Sequence, residues 1–284
     1  MLRIVAQQRC RAPVDQGFHT WAAERFGGEA ATAAANYLGV VTFDHDPGRL
    51  SAAFAWERLL RATAVPPRAR YVIGGWTSML AWLEARARAL GVQIELGSRV
   101  DRLLEPPVIV ATSLDSAGRL LGDRSLGWES GRTVLVDIGI ERRPGDAFVV
   151  ADLDEAGWAE RFSLPDPSVA PPGCSLIQAQ LPLRPGERQD DGVGRLERIL
   201  DLSCPAWRER LVWRRRGVAA GRSGALDLPG RTWRDRPRVD RGGGVFLAGD
   251  MVAAPGLLSE VSFASAIEAS TRAVGLLRPN RHAA

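Results

Sequence analysis

Towards its carboxyl end the chain reads Gly244-Val-Phe-Leu-Ala-Gly-Asp250, then a Pro/Gly loop, then a helical pattern from Ser259 to about Leu277. Val245-Phe-Leu-Ala is apolar without alternation, the pattern of a strand buried on both faces, and such strands belong to parallel sheets covered by helices. A buried strand followed by a helix predicts the α/β class. Gly249 and Asp250 then stand at the carboxyl end of a strand, where open α/β sheets bind ligands. A carboxylate there can accept hydrogen bonds from ribose or ribityl hydroxyls. Pro255-Gly256 allows a close backbone approach. Ser259 is positioned to cap a helix whose first N–H groups favour negative charge. Ser262, Ala264, Ser265 and Ala266 are small enough for that helix to lie against a sheet or a flat ring. The same residues are equally compatible with an ordinary βα unit whose Asp250 caps a turn.

Upstream, the first 65 residues read as helical. Asp15 is expected to cap a segment carrying Phe18, Trp21, Ala22 and Phe26 on one face, stopped at Gly27-Gly28. An alanine-rich segment follows from Glu29 towards Leu38, and a third amphipathic helix from Leu50 to Leu60; Pro66-Pro67 closes the block. Trp76 to Leu90 repeats apolar residues at helical spacing and ends at Gly91, a C-terminal cap. Val92-Gln-Ile-Glu-Leu, Val100-Asp-Arg-Leu-Leu and Val108-Ile-Val-Ala-Thr are expected strands. Val134, Val136, Ile138 and Ile140 alternate with polar neighbours within a mostly stranded region from 132 to 183. Residues 192–216 read as helical again.

Composition excludes several chemistries. All 37 Lys+Arg residues are arginine, so no P-loop lysine, Schiff-base lysine or lysine general base exists. His19, His45 and His282 lack ligand spacing, and no metal site is expected. Cys10, Cys174 and Cys204 are widely separated and odd in number, which fits a reduced, cytoplasmic compartment. No apolar run approaches the roughly 18 residues of a membrane span, and the start has no signal-peptide core. The net charge of +4 carries no assignment by itself, and an arginine-only basic set fits codon composition. The stretches Trp207-Arg-Glu-Arg-Leu-Val-Trp-Arg-Arg-Arg and Arg231-Thr-Trp-Arg-Asp-Arg-Pro-Arg read as a solvated helix face and a surface loop. No nucleic-acid-binding motif accompanies them, so no nucleic-acid partner is expected.

The terminal motif, with Gly-Leu-Leu-Ser-Glu-Val-Ser-Phe-Ala-Ser-Ala after it, resembles the C-terminal flavin-binding signature of the FAD-dependent amine oxidase and phytoene desaturase superfamily. Gly74-Gly75, the following helix, Gly91-Val-Gln-Ile, Val100 and Val108-Ile-Val-Ala-Thr resemble the middle of the same enzymes, in collinear order. The resemblance implies an α/β fold: the C-terminal half of a Rossmann-like FAD-binding domain interleaved with a mixed α+β substrate domain. Residues 1–71 and 114–240 would form the substrate domain, and 72–113 and 241–284 the FAD-binding part. It further implies backbone contacts from Val100 to adenine, an Asp250 carboxylate that binds the ribityl chain or a phosphate-bound water with Gly249 beside it, and backbone N–H groups around Val261 and Ser262, in the helix start that Ser259 opens, aimed at the flavin N1–O2 edge. Gly74 and Gly75 would lie near the cofactor. The implied activity is hydride transfer from an apolar or amine small molecule to FAD, with no catalytic side chain assigned.

Two departures bear on this. The absence of lysine removes the active-site lysine of many amine-oxidising relatives and favours the desaturase-like branch. No G-x-G-x-x-G pyrophosphate cradle occurs; the nearest spacing, Gly192-Val-Gly-Arg-Leu-Glu, lacks the third glycine and follows a charged loop. The chain is therefore expected to hold FAD weakly by itself. The missing unit would come from an upstream segment or a partner chain; alternatively, the chain is a non-catalytic remnant or binding module.

Overall fold

Helices α1 (Phe18–Phe26), α2 (Gly28–Tyr37), α3 (Gly39–Thr42) and α4 (Ala52–Ala62) form the first layer of the computed structural model, which describes residues 10–66 and 70–277. Their apolar faces converge on Phe18, Trp21, Leu38, Trp56 and Leu59, and the alanines of α2 let it pack closely. Asp15 does not cap α1. Gly17 occupies that position because a bridge to Ser51 holds it extended, with the Phe18 N–H donating to Leu50 O at 2.8 Å. Met1 to Arg9, Pro67 and His282 lie outside the described residues.

The second layer is a five-stranded antiparallel sheet in the order β3-β4-β5-β2-β6. Its strands are β2 (Ser130–Glu141), β3 (Val149–Ala151), β4 (Trp158–Arg161), β5 (Cys174–Pro182) and β6 (Leu211–Ala225). The alternating Val134, Val136, Ile138 and Ile140 point to one face, where α7 (Gln189–Ser203) covers them with Val193, Leu196, Ile199 and Leu200. The helical reading of 192–216 holds only to Ser203. Pro205 breaks the helix, Trp207–Arg210 makes a single tight turn, and Leu211 begins β6. The arginines there do not form a helix face, because a strand sends neighbours to opposite sides. Arg214 pairs with Glu197 of α7 at 2.6 Å, while Arg215 pairs with Asp137 of β2 at 2.5 Å.

The third part is α/β. β1 (Val108–Val110) and β7 (Val245–Leu247) pair in parallel, with Ile109 opposite Phe246. Helices α6 (Leu114–Leu121) and α8 (Ser259–Leu277) cover them, and Leu114, Ala117, Phe246, Met251, Ala269 and Ala273 share one apolar cluster. The far side of β7 is occupied: the Leu247 N–H donates to Val239 O at 2.8 Å and the Arg241 N–H to Val245 O at 2.9 Å. The far side of β1 has no partner among the described residues. The Val108 N–H donates to Gly244 O and Val110 O accepts from Ala248 N–H, so in a parallel ladder Ile109 directs its own N–H and C=O away from β7.

Two expected strands are absent. Val92–Leu96 and Val100–Leu104 run as irregular chain with Leu96 86% exposed and Leu104 61% exposed. Neither segment finds a neighbouring strand among the described residues, and a strand without a ladder partner is not stable in water. Helix α5 (Gly75–Ala89) forms as expected, yet buries none of its residues; Trp76, Leu80 and Trp82 face solvent.

Candidate functional site

Both parallel strands end at the same cleft, of about 420 Å³. β1 delivers Thr112 and Ser113 to it, β7 delivers Gly249 and Asp250, the first turn of α8 delivers Ser262, and β6 reaches over with Gly221 and Arg222. This is the carboxyl-end crevice in which open α/β sheets bind ligands. Its floor is held by Ser265, which is fully buried. The Gly249 N–H donates to Ser265 Oγ at 3.0 Å, and that hydroxyl lies 3.1 Å from Gly249 O and 3.0 Å from Ser262 O as its acceptors. The serine thereby fixes the turn that presents Asp250.

Of the two charges in the cleft, Asp250 is the one that stands apart in this arginine-rich molecule. Most described carboxylates are paired, whereas half-buried Asp250 makes no hydrogen bond or ion pair with any described residue, and neither does Arg222. A carboxylate, a guanidinium and the Thr112 and Ser116 hydroxyls therefore face one space with capacity left for a polar ligand.

The sequence-derived candidates fall into separate places. Gly249, Asp250 and Ser262 line the cleft together. Val261 is buried beneath it, one residue before Ser262. Ser259 is the first residue of α8, and its side chain caps nothing; the group that engages the backbone there is Glu260, which accepts from the Leu257 N–H at 3.0 Å and from Arg61. The turn enters the helix through Leu258 at φ 51, which replaces the extended residue a serine cap requires. The Arg61 hydrogen bond, helped by the Leu257 N–H, holds the Glu260 carboxyl below its ordinary range against the opposing effect of burial. Val100 is exposed and does not line the cleft. Gly74 adopts φ 78 and donates its N–H to Asp166 Oδ2 at 2.7 Å, outside the cleft. Sequence reasoning missed Arg222 and Ser113. Arg222 stands between Gly221 and Gly224, both at positive φ, a doublet that marks the bend bringing β6 over the cleft. Among the described residues no group of three or more His, Cys, Asp or Glu is placed to hold a metal ion.

A parallel βα core with a carboxyl-end cleft, joined to an antiparallel sheet that reaches over that cleft, defines a mixed α/β fold. The chain superposes on an oxidoreductase from Methanosarcina mazei with a TM-score of 0.72 and 14% identity, covering 95% of this chain and 71% of that one. It superposes on cyclohexylamine oxidase from Brevibacterium oxydans with a TM-score of 0.63 and 12% identity, covering 98% of this chain and 74% of the oxidase. For reduced UDP-galactopyranose mutase the TM-score is 0.53 at 12% identity, covering 81% of this chain and 60% of the mutase. At these identities the likeness is one of fold. No protein-family model matches the chain, and no curated protein matches it significantly.

Proposed function

We propose that the chain is the rear part of an FAD-dependent oxidoreductase of the amine-oxidase and desaturase type, with the ribityl and phosphate portion of FAD in the Asp250 cleft. The observation that carries the reading is Asp250 itself: a carboxylate without a partner at the carboxyl end of a parallel strand, in a cleft that also holds an unpaired arginine. The residues fit that part of the group. Asp250 would accept from ribityl hydroxyls, Arg222 would meet a phosphate, and Gly249, with no side chain and open space where a Cβ would stand, lets the ligand approach closely. Backbone N–H groups of the Ser259–Val261–Ser262 turn would face the flavin N1–O2 edge, where a helix start favours developing negative charge. Val100 would contribute backbone contacts to adenine once its segment is ordered as a strand. Bound flavin supplies acceptance of a hydride from a small-molecule substrate, apolar or amine, while the protein orients both. In this reading residues 72–113 and 241–284 form the FAD-binding part, and 1–71 and 114–240 the substrate domain.

The pyrophosphate cradle is not within these 284 residues. The reading places it in a glycine-rich βαβ unit that adds a strand in parallel to the Ile109 edge and gives Val92–Leu96 and Val100–Leu104 their partners. Its support is the β1 edge, which is unpaired among the described residues, and the exposed apolar side chains of α5. The uncovered strands favour a second reading equally directly, a non-catalytic remnant or binding module without the cofactor. Flavin absorbance separates the two. The chain supplied with a G-x-G-x-x-G βαβ polypeptide becomes yellow and retains stoichiometric FAD through gel filtration if the first reading is right. A colourless protein, unchanged by FAD with that polypeptide present, leaves the second.

A further inference from the structure

A second cavity, of about 250 Å³, lies between α4, the segment after β6 and the loop that follows Asp250. The loop is shared: Met251 and Val252 line the first cleft, Pro255 and Gly256 the second. The apolar spacing of α4 would place another Leu or Ala one turn after Phe54. The residue there is Arg58, and it is 4% exposed. Its Nη1 donates to the Phe54 carbonyl at 2.9 Å and the guanidinium lies over the Phe54 ring, 3.3 Å from the centroid. No carboxylate among the described residues hydrogen-bonds to it. Glu57 comes no nearer than 3.9 Å and is itself 60% exposed.

The other acid of the cavity is already taken. Asp227 accepts from Arg236 Nε and Nη2 at 2.9 and 2.8 Å and from Trp128 Nε1 at 3.2 Å. Arg231 and Arg234 also line the cavity, each lying over a tryptophan, at 5.2 Å from Trp128 and 4.3 Å from Trp233, and neither is in an ion pair. The cavity therefore gathers Arg58, Arg231, Arg234 and Arg236 around two carboxylates, one of them saturated. Burying a guanidinium whose one ion pair is a long contact to an exposed carboxylate is costly, and a fold tolerates it where a ligand restores the balance. Burial, which outweighs the attraction of Glu57 and is reinforced by the charge of Arg236, pushes the Arg58 guanidinium down to about 10. It stays charged at neutral pH. Its remaining N–H donors meet no acceptor among the described residues, and arginine matches planar carboxylate and phosphoryl oxygens better than any other side chain.

We propose that this cavity binds the oxyanion of a small molecule, a carboxylate or a phosphoryl group, with Arg58 as the buried anchor and Arg234 at the mouth. The site stands independently of the flavin reading, because none of its partners lines the Asp250 cleft.

Thermal melts of the full chain without FAD test it, with inorganic phosphate and succinate as probes and sodium chloride at matched ionic strength as control. At least one of the probes raises Tm by about 3 °C once it exceeds its Kd tenfold, whereas chloride does not. A response to phosphate alone assigns a phosphoryl ligand, and a response to succinate alone a carboxylate. Arg58→Met, similar in length and uncharged, melts at or above the wild-type temperature in chloride and loses the anion response. Arg234→Ala, at an exposed position, leaves the melt in chloride unchanged and moves the midpoint of the response at least fivefold towards higher anion concentration. A response no larger than that of chloride overturns the proposal, as does an equal response in Arg58→Met. If Arg58→Met does not fold, an unmoved midpoint in Arg234→Ala overturns it.

Discussion

Arg210 holds Asp146 through two hydrogen bonds, Nη1 to Oδ2 at 3.0 Å and Nη2 to Oδ1 at 2.8 Å, with both side chains sealed from solvent. The same guanidinium donates to Glu141 O at 2.8 Å and Pro205 O at 3.0 Å, so it joins the end of β2, the loop before β3 and the turn after α7. Burial by itself would raise the Asp146 pKa; the Arg210 hydrogen bonds, the Arg143 N–H and the nearby positive charge prevail and hold it below the ordinary range. A depressed carboxylate contributes stability that is present above its unfolded pKa and is lost as pH falls through the folded one. Wild-type stability should therefore decline on acidification from about pH 5, the upper end of carboxylate titration in unfolded chains. Asp146→Asn leaves a buried guanidinium without its counter-charge and should cost about 3–5 kcal/mol at pH 7. Urea unfolding at pH 7 and pH 4 measures both. Equal acid sensitivity in the two proteins would show that the pair is not the source.

Asp250 differs from Asp146 in having nothing to hold. Its free carboxylate should be the larger contributor to whatever FAD affinity the chain retains, since a hydrogen bond to a charged acceptor is worth about 1.5–3 kcal/mol. Asp250→Ala should weaken FAD on the order of 10- to 100-fold in a flavin fluorescence titration. Trp213→Ala, within the exposed arginine–tryptophan strand, should not change it. An alanine variant with the wild-type Kd removes Asp250 from the site.

What the sequence carried and what it did not follow from range. Val245–Leu247 was legible as a buried strand and Ser259–Leu277 as its helix, because apolar runs and helical spacing are local properties. The alternation at Val134–Ile140 likewise gave β2 and its buried face. Val92–Leu96 and Val100–Leu104 have the composition of strands, but a ladder needs a second chain segment, which composition cannot reveal. The arginines after Trp207 fit a helix or a strand by count; Pro205 and the pairing of Arg215 with Asp137, 78 positions away, decide for the strand. Within the cleft, Gly249, Asp250 and Ser262 come from one local motif and were readable as a group. Arg222 and Ser113 arrive from other elements and were not. Arg58 was hidden for the same reason, since only the packing of α4 against Asp227 and Arg236 shows a buried charge there.

Gly256 lines the oxyanion cavity, on the loop whose earlier residues Met251 and Val252 line the Asp250 cleft. It adopts φ 119, and a Cβ on it would stand 2.6 Å from Glu260 Cβ, in the residue that organises the start of α8. An alanine there must shift α8 or the loop, and its backbone is strained as well. Gly256→Ala should cost about 1–3 kcal/mol in a thermal or urea melt. It should also blunt the oxyanion response, because the loop lines that cavity. A variant with unchanged melt and unchanged response would mean that the loop relaxes freely and positions neither site.

The exposed face of α5 makes a prediction about the chain in isolation. Trp76, Leu80 and Trp82 stand 60%, 60% and 67% exposed on a helix that buries nothing, in a chain whose β1 edge is unpaired among the described residues. Apolar patches and unpaired strand edges of this kind promote association. Alone, the chain should sediment as more than a monomer at concentrations of about 10 µM and bind the dye ANS strongly. Leu80→Glu combined with Trp82→Glu removes two large apolar side chains that have no buried contacts to lose, so Tm should change by little more than the usual surface effect of about 0.5 kcal/mol. Dye binding and association should both fall. Supplying a glycine-rich βαβ polypeptide should suppress dye binding to the wild-type chain, and suppress it less in the double variant if α5 is part of the surface that unit covers. A wild-type chain that stays monomeric and binds no dye would show that this face is tolerated by itself, and would remove the main physical reason for expecting a missing unit.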